Sequence, residues 1–289
     1  MTRGCLIFAH NSKDIDYALM SIIAGSLAKK YLKVPVSLVT DTATIDWLKQ
    51  SQQYSKAESV FDKIIEIKEI DYNNSRRLHD GTDSSLVPFL NGTRSLAYDL
   101  TPYDRTLLLD SDFLIFSDRL NSYWDYDESV LISTAMNDIC DPSRQGYQDR
   151  YISDTGIKLY WATTVMFSKD EYGKAFFNLV NYIKENYKTY SDLYGFFEYK
   201  RYRNDISFSI AKHIMDGFMT SNDASLPPIL TTMDRDILYK NVKEKLIFLV
   251  TPTLDEKYCA VSTLGIDIHI MNKQSIIRNA DELMEVANG

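Results

Sequence analysis

The chain has 289 residues, 45% of them apolar and 25% charged, so it can bury a sizeable core as one large domain. Its 32 basic and 40 acidic residues give a net charge of −8, which disfavours non-specific binding to nucleic acid or to anionic membranes. Three scattered cysteines argue against a disulfide framework and a structural zinc site. Residues 1–10 lack the features of a signal peptide, and no apolar run is long enough to span a bilayer, so we expect a globular cytoplasmic protein.

Alternating strand and helix patterns in the first third of the chain indicate an α/β fold. Short apolar runs predict strands, and apolar residues spaced at three and four positions predict the helices between them. The predicted elements are strands at 4–9, 34–40 and 60–67 and helices at 14–32 and 44–53. The polar residues 68–91 show little periodicity and predict a long surface loop, a kind of segment that often closes over a ligand.

The rest of the chain continues the alternation with shorter elements. Residues 136–154 are polar and predict a second surface loop. A capping box formed by Ser168 and Glu171 predicts the start of a helix with apolar residues at helical spacing. The remaining predicted elements are a short helix at 92–100, strands at 130–134 and 158–167, a helix that Asn204 opens, short strands within 229–271 and a last helix at 274–287.

Two carboxylates, Asp110 and Asp112, lie inside the apolar run at residues 105–116, which predicts a buried strand. A buried carboxylate without a partner is costly or becomes protonated, so two of them need a shared compensating charge. A divalent cation that prefers oxygen ligands, Mg²⁺ or Mn²⁺, meets this need and leaves coordination positions for phosphate groups. The simpler alternative is a strand that ends in an acidic turn, since Asp is a common turn residue.

Several polar residues are expected at one edge of the predicted sheet. Open α/β sheets bind ligands at the carboxyl ends of their strands. The residues predicted at that edge are Asn11, Asp41, Asp110, Asp112 and Thr163. The short helix before the Asp-Ser-Asp strand carries Arg94, which is therefore expected near the two carboxylates. The pattern predicts a polar site with a metal ion at its centre.

The order of motifs between residues 92 and 112 resembles that of the nucleotide-sugar glycosyltransferases with the A-type fold. A helix that carries Arg94 and a Pro-Tyr-Asp-Arg turn precede an apolar strand that ends in Asp-Ser-Asp. The resemblance is closest to the glycogenin-like family and covers residues 3–272 in the order of elements. It implies a single Rossmann-like nucleotide-diphospho-sugar transferase domain with a mixed central sheet. Residues 1–117 would form the nucleotide-binding half, and residues 118–289 the acceptor-binding half with a C-terminal metal and diphosphate segment.

The segment at residues 265–273 is similar to the part of that family that supplies a histidine to the metal and a lysine to the diphosphate. The resemblance therefore assigns His269 as a metal ligand beside Asp110 and Asp112, and Lys273 as a diphosphate ligand. Here the lysine follows the histidine more closely than it does in the family. A histidine between two isoleucines in a strand is otherwise a packed core residue, and this remains the alternative for His269.

The resemblance also assigns residues around the sugar and the nucleotide. Asn204 and Asp205 match the family's helix start beside the anomeric carbon and are the expected catalytic residues, with helix capping as the alternative role. The turn at residues 9–11 resembles the base-binding turn, and Tyr17 is a candidate for stacking on the base. The residues expected to bind the nucleotide sugar are Ala9, Asn11, Asp41, Arg94, Ser111 and Lys273.

The implied function is that of a metal-dependent glycosyltransferase of the hexosyltransferase type. It would move a sugar from a nucleoside diphosphate, with UDP as the expected nucleotide, to a hydroxyl group of a glycan, protein or small molecule. The resemblance leans toward a retaining mechanism, and Asp205 is the candidate base of an inverting one. Mn²⁺ or Mg²⁺ is the expected cofactor. The alternatives are a haloacid-dehalogenase-like Mg²⁺-dependent phosphatase, which also carries Asp-x-Asp after an apolar strand, and a non-catalytic nucleotide- or glycan-binding protein.

Overall fold

A computed structural model describes most of the chain. The described residues are 1–68, 74–80, 83–140, 144, 151–196, 201–219, 224–252 and 257–289. Parts of the two predicted surface loops, residues 69–73, 81–82, 141–143 and 145–150, lie outside them. Among the described residues, no helix has both the length and the apolar character that crossing a membrane requires.

Strands and helices alternate along the first part of the chain, and short strands dominate the last third. The strands are β1 (Arg3–Phe8), β2 (Val36–Asp41), β3 (Lys63–Ile67), β4 (Ser75–Asp80), β5 (Asp83–Pro88), β6 (Arg105–Leu109), β7 (Phe113–Leu114), β8 (Val130–Ser133), β9 (Met136–Asp138), β10 (Tyr151–Ile152), β11 (Ile157–Lys158), β12 (Trp161–Ser168), β13 (Ile229–Thr231), β14 (Ile237–Val242), β15 (Lys245–Val250), β16 (Cys259–Leu264) and β17 (Ile268–His269). The α-helices are α1 (Tyr17–Leu32), α2 (Thr42–Gln50), α3 (Tyr54–Val60), α4 (Ala97–Leu100), α5 (Glu171–Glu185), α6 (Tyr187–Tyr194), α7 (Asn204–Met215), α8 (Lys273–Arg278) and α9 (Ala280–Asn288). Short 3₁₀ helices cover Asn91–Leu96, Arg119–Tyr123 and Ser153–Thr155.

The central sheet has the spatial order β3-β2-β1-β6-β12-β8 in the part of the chain that the structure describes. Strands β1, β2, β3 and β6 are parallel, whereas β12 runs antiparallel to both β6 and β8. The side chains of β1, β2 and β6 are buried almost throughout, because helices cover a parallel sheet on both faces. The predicted α/β fold with a mixed central sheet is confirmed.

A smaller sheet, β7-β17-β13-β9, brings the C-terminal segment to the end of β6. Strand β17 pairs antiparallel with β7, in a register that places His269 opposite Phe113. The backbone amide of Ile270 also donates to the carbonyl oxygen of Asp112 at 2.9 Å. This pairing fixes residue 269 next to residue 112, although the two positions are far apart in the chain.

Two predicted helix starts are wrong. The side chain of Asp16 caps α1 by accepting from the amide of Leu19 at 2.9 Å, so this helix begins at Tyr17 and not at residue 14. Asp170 caps α5 by accepting from the amide of Gly173, so the capping box at Ser168 does not form. Ser168 is instead the last residue of β12, and its hydroxyl accepts a hydrogen bond from the guanidinium of Arg105 at 2.6 Å.

Other corrections concern elements that the apolar pattern did not predict. Residues 75–80 and 83–88 pair as the β4–β5 hairpin where a loop was expected, and β9 lies inside the second predicted loop. The predicted strand at 60–67 begins only at Lys63, because α3 ends at Val60. The predicted strand at 158–167 is divided between β11 and β12, and the predicted last helix is divided into α8 and α9.

Candidate metal centre

A cavity of about 580 Å³ lies at the carboxyl ends of β1 and β6, between the central sheet and the β7-β17-β13-β9 sheet. Both halves of the chain contribute to its walls. The predicted residues that line it are Tyr17, Arg94, Asp110, Ser111, Asp112, Thr163, Asn204, Asp205, His269 and Lys273. Ala9, Asn11 and Asp41 do not line it. The fold therefore collects most of the predicted polar residues at one edge of the sheet, where open α/β folds bind ligands.

Asp110 follows β6 directly, and its carboxylate is bound by two residues of the short helix Asn91–Leu96. Its Oδ1 accepts from Nη1 of Arg94 at 2.5 Å and from Nδ2 of Asn91 at 3.3 Å. Its backbone amide donates to the carbonyl oxygen of Thr163 on β12. Burial raises the pKa of the Asp110 carboxyl; the Arg94 guanidinium opposes this effect, and the nearby Asp112 charge adds to it.

Asp112 is held from the opposite side, by residues near the end of the chain. Nζ of Lys273 lies 2.5 Å from its Oδ2, and Nε2 of His269 lies 3.2 Å from its Oδ1. Burial alone would raise the pKa of the Asp112 carboxyl, but Lys273 and His269 together hold that pKa well below its usual range. The pKa values of the two neighbouring carboxyls are thus shifted in opposite directions, although each faces a cation.

Asp110, Asp112 and His269 can converge on one ion. Each offers one ligand atom, and the three atoms lie within 4.8 Å of one another. Two carboxylate oxygens and one imidazole nitrogen form a donor set that suits Mn²⁺ and is compatible with Mg²⁺. Nδ1 of His269 is buried and has no hydrogen-bond partner, so the ring is not fixed by a bond to the surrounding core. The residues present fit a divalent cation.

Several buried polar atoms of residues that line the cavity have no hydrogen-bond partner in the part of the chain that the structure describes. They are Nε and Nη2 of Arg94, Oδ1 of Asn91, Oδ1 of Asp234 and Nδ1 of His269. Native proteins pair almost all such atoms, and those left over require a water, an ion or a ligand. Because the residues that carry these donors and acceptors line the same cavity, the arrangement is suited to a polar, charged ligand.

Asn204 and Asp205 begin α7 at the cavity wall, but neither side chain caps that helix in the described structure. Oδ1 of Asp205 accepts from the amide of Ala162 on β12 at 2.9 Å, and Oδ2 accepts from Nη2 of Arg203. Nδ2 of Asn204 donates to the carbonyl oxygen of Asn91 at 3.1 Å. These bonds tie the start of α7 to β12 and to the helix that carries Arg94, so they hold the cavity together.

The loop after β1 presents His10 to the cavity, whereas its neighbours Ala9 and Asn11 were the residues predicted there. Nδ1 of His10 bonds to Asp41 at 3.0 Å, and Nε2 bonds to the hydroxyl of Thr93 at 3.1 Å. The side chain of Asn11 points into α1 instead, where its Oδ1 accepts from the amide of Ala18 at 2.7 Å. Asp41 also caps α2 by accepting from the amide of Thr44. Asp41 therefore touches the cavity only through His10.

Sequence reasoning missed several residues that the structure brings into the cavity. Asn91 stands three positions before Arg94 on the same short helix, and that spacing could have identified it. His10 carried a signal as well, because it directly follows a buried strand. Tyr202 donates to Oδ1 of Asn204 at 3.0 Å, and Asp234 follows β13, but no pattern in the sequence distinguished either residue.

Comparison with protein-family models and with curated proteins found no match. Among solved structures, the chain is similar to the glycosyltransferase GlyE of Streptococcus pneumoniae TIGR4, with 15% identity and a TM-score of 0.41, over 72% of this chain and 43% of that one. It is also similar to the galactosyltransferase LgtC in complex with donor and acceptor sugar analogs, with 13% identity and a TM-score of 0.44, over 72% of this chain and 70% of that one. A third similar structure is the inositol-1-phosphate CTP transferase from T. maritima, with 12% identity and a TM-score of 0.39, over 75% and 82% of the two chains. The chain thus spans less than half the length of GlyE.

Proposed function

We propose that the protein is a metal-dependent glycosyltransferase that takes a sugar from a nucleoside diphosphate, with UDP as the favoured nucleotide. The observation that carries the proposal is the convergence of Asp110, Asp112 and His269, from two distant segments, on one point of a polar cavity. The sequence resemblance assigns the same three residues to a metal. The donor set favours Mn²⁺ or Mg²⁺ as the cofactor.

A bound divalent cation would supply positive charge to the diphosphate oxygens as the bond to the sugar breaks. The chain adds cations of its own on either side. Arg94 has two unpartnered guanidinium nitrogens, and Lys273 lies against Asp112 on the opposite side of the carboxylate pair. An Arg fork and a Lys point charge both bind phosphate oxygens well, so these two residues would hold the diphosphate.

In this proposal the two halves of the chain bind different parts of the substrates. Residues 1–117 would bind the nucleotide, with His10 and Tyr17 at the base end of the cavity. Residues 118–289 would bind the acceptor, and their C-terminal segment would contact the metal and the diphosphate. Asn204 and Asp205 would stand at the sugar. Asp205 is fixed by the Ala162 amide and by Arg203, so its carboxylate is oriented before a ligand arrives. The resemblance favours retention and transfer of a hexose, and Asp205 would be the base if the enzyme inverts.

The position of Asp-Ser-Asp in the chain weighs against the phosphatase alternative. In those enzymes the motif normally follows the first strand, whereas here three other strands of the central sheet precede β6. The unpartnered polar atoms around Asp110 suit a diphosphate ligand. Arg94 would serve that ligand with the two nitrogens that have no partner.

A turnover assay tests the proposal against both alternatives. The protein is given UDP-glucose, UDP-galactose, UDP-N-acetylglucosamine and GDP-mannose, each with Mn²⁺, Mg²⁺ or a chelator, and release of the nucleoside diphosphate is measured. We expect release that requires a metal and is lost in Asp112→Asn but not in the exposed control Asp99→Asn. Hydrolysis of p-nitrophenyl phosphate without sugar release would establish a phosphatase. Nucleotide binding in calorimetry without any turnover would establish a binding protein.

A further inference from the structure

Strands β14, β15 and β16 form a separate three-stranded antiparallel sheet, here called the outer sheet. One of its faces packs against the C-terminal helices, and Nδ2 of Asn279 before α9 donates to the carbonyl oxygen of Leu238. The side chains that β14 and β15 contribute to the centre of that face are buried. Leu246, Phe248 and Val250 have no exposed surface, and Leu238 is 1% exposed. The inner face is therefore an ordinary part of the hydrophobic core.

The opposite face of the outer sheet is also rich in apolar residues, although it faces solvent. Directly paired residues share a face, and the pairs on this one are Ile237 with Leu249, Leu249 with Ala260, Lys240 with Ile247, Ile247 with Ser262, Val242 with Lys245 and Lys245 with Leu264. Val242 is 49% exposed and Leu264 is 66% exposed, and Tyr239 in the same strand is 63% exposed. An antiparallel sheet with one face in water normally alternates apolar and polar residues, so this face departs from the rule.

Lysines surround the apolar residues of this face. Lys240 and Lys245 project from it, and Lys243 lies in the turn between β14 and β15. Within the described residues, none of the three forms an ion pair with an acidic side chain. Glu282 and Glu285 of α9 line a groove with Lys240 and Lys243 without reaching ion-pair distance. Glu244 accepts from the hydroxyl of Tyr31.

We propose that this outer face docks on a membrane surface that contains anionic lipid. Aliphatic residues framed by lysines match the boundary between acyl chains and anionic headgroups. Tyr239 adds a ring with a polar tip, a side chain that prefers that boundary. A second copy of the chain fits less well, because an isologous contact over this face would bring like-charged lysines together.

The net charge of −8 does not prevent this docking. At physiological ionic strength, charges separated by more than about 8 Å are largely screened from each other. Lys240 and Lys245 project from the face itself and would meet the lipid phosphates directly, whereas Glu282 and Glu285 of α9 lie at the edge of the face. Local charge therefore decides the interaction, and raising the salt concentration should weaken it.

Sedimentation with lipid vesicles tests the proposal. Vesicles of phosphatidylcholine alone are compared with vesicles in which a quarter of the lipid is phosphatidylglycerol. We expect the protein to sediment with the anionic vesicles only, and less in high salt. Lys240→Glu with Lys245→Glu should weaken partitioning on the order of tenfold or more. The matched control, Lys174→Glu with Lys188→Glu, changes the same charge on exposed sites of α5 and α6 and should have little effect.

A second variant separates the apolar contribution from the charge. Val242→Ser with Leu264→Ser changes only exposed side chains, so the melting temperature should stay close to that of the wild type while vesicle binding falls. The proposal is overturned if the wild type fails to sediment with anionic vesicles at low salt, or if the control pair reduces binding as much as the test pair. Dimerisation in analytical ultracentrifugation that Val242→Ser with Leu264→Ser abolishes would also overturn it, because the face would then be covered by a second copy.

Discussion

Two polar clusters lie at neighbouring strand ends and differ in how completely their atoms are paired. In the cluster after β1 and β2, both nitrogens of His10 and both carboxylate oxygens of Asp41 have partners. In the cluster after β6, two guanidinium nitrogens of Arg94 and one ring nitrogen of His269 have no hydrogen-bond partner among the described residues. The first cluster is complete without a ligand, whereas the second is not.

The difference shows which of the two clusters has bonding capacity left for a ligand, although unpartnered nitrogens also occur outside the cavity, at Arg105. Burying polar atoms is tolerable when they bond to one another, as those of His10, Asp41 and Thr93 do. Burying them unpaired costs stability, and proteins accept that cost mainly at functional sites. Changes in the first cluster should therefore affect stability, and changes in the second should affect metal and nucleotide binding.

The largest effect is expected from Asp112→Asn. The substitution keeps the shape of the side chain but removes a metal ligand and the anion that faces Lys273 and His269. We expect metal-dependent release of nucleoside diphosphate to fall on the order of a hundredfold or more, as when a main source of transition-state charge stabilisation is lost. The measurement is the initial rate at saturating Mn²⁺. A rate equal to that of the exposed control Asp99→Asn would show that Asp112 does not hold the metal.

His269→Ala should mainly weaken the binding of the metal. Within the described residues one imidazole nitrogen has no hydrogen-bond partner and the other lies 3.2 Å from Asp112, and the residue lines the cavity, so removing the ring should break few contacts with the core. Calorimetric titration with Mn²⁺ in the presence of UDP should show affinity reduced more than tenfold, since one of three ligands is lost. The melting temperature of the metal-free protein should change little. A much lower melting temperature with unchanged Mn²⁺ affinity would identify His269 as a packed core residue.

The Asp-Ser-Asp position could be predicted because two carboxylates inside a buried apolar run are physically unusual. The strands of the central sheet were predictable for a related reason, since β1, β2 and β6 are short segments rich in apolar residues and are buried almost throughout. His269 was different. No periodicity distinguished it from a core histidine, and only the family resemblance selected it.

The failures of the sequence analysis lie where partners from distant positions decide the structure. The β4–β5 hairpin is mostly polar and is held by backbone pairing between its strands together with the buried side chain of Val87, which leaves too little apolar periodicity to predict it. Ser168 has the sequence of a helix cap, but Arg105 binds its hydroxyl and Asp170 takes over the cap. Asn91 and Asn204 meet across the cavity through a bond that local sequence cannot reveal.

Asp41→Asn should lower stability and leave metal binding unchanged, which is the opposite of the result expected for His269→Ala. Burial opposes the charge of Asp41, but bonds from His10 and Thr44 hold the pKa of the carboxyl below its usual value. The substitution should lower the free energy of unfolding by about 1–3 kcal/mol at neutral pH, because buried partners lose their bonds. Affinity for Mn²⁺ should stay near that of the wild type.

The pH dependence of this loss follows from the direction of the shift. A carboxyl whose folded pKa is depressed contributes stability above its unfolded pKa of about 4, and that contribution disappears as the pH falls through the folded value. The difference between the wild type and Asp41→Asn in urea unfolding should therefore be constant from pH 7 to about pH 5 and shrink below about pH 4. A difference that grew on acidification would contradict the assignment.

The smallest effect is expected from Arg278→Gln, which tests how far the ion pair between Arg278 and Asp80 holds the β4–β5 hairpin near the cavity. Both Nη nitrogens of Arg278 bond to Asp80 at 2.7 Å, Nδ2 of Asn272 also donates to Asp80 at 3.2 Å, and Ser75 of the same hairpin lines the cavity. The pair is partly exposed, so its loss should cost about 0–1 kcal/mol of unfolding free energy. Hydrogen exchange should nevertheless rise in residues 75–80 and 83–88, because this bond ties β4 to α8 beside Lys273.

Lys29→Gln, which breaks the similarly exposed pair with Asp62, should leave hairpin exchange unchanged. If exchange in the hairpin stays the same in Arg278→Gln, backbone pairing and packing hold it, and the Asp80 contact has no part in closing the cavity.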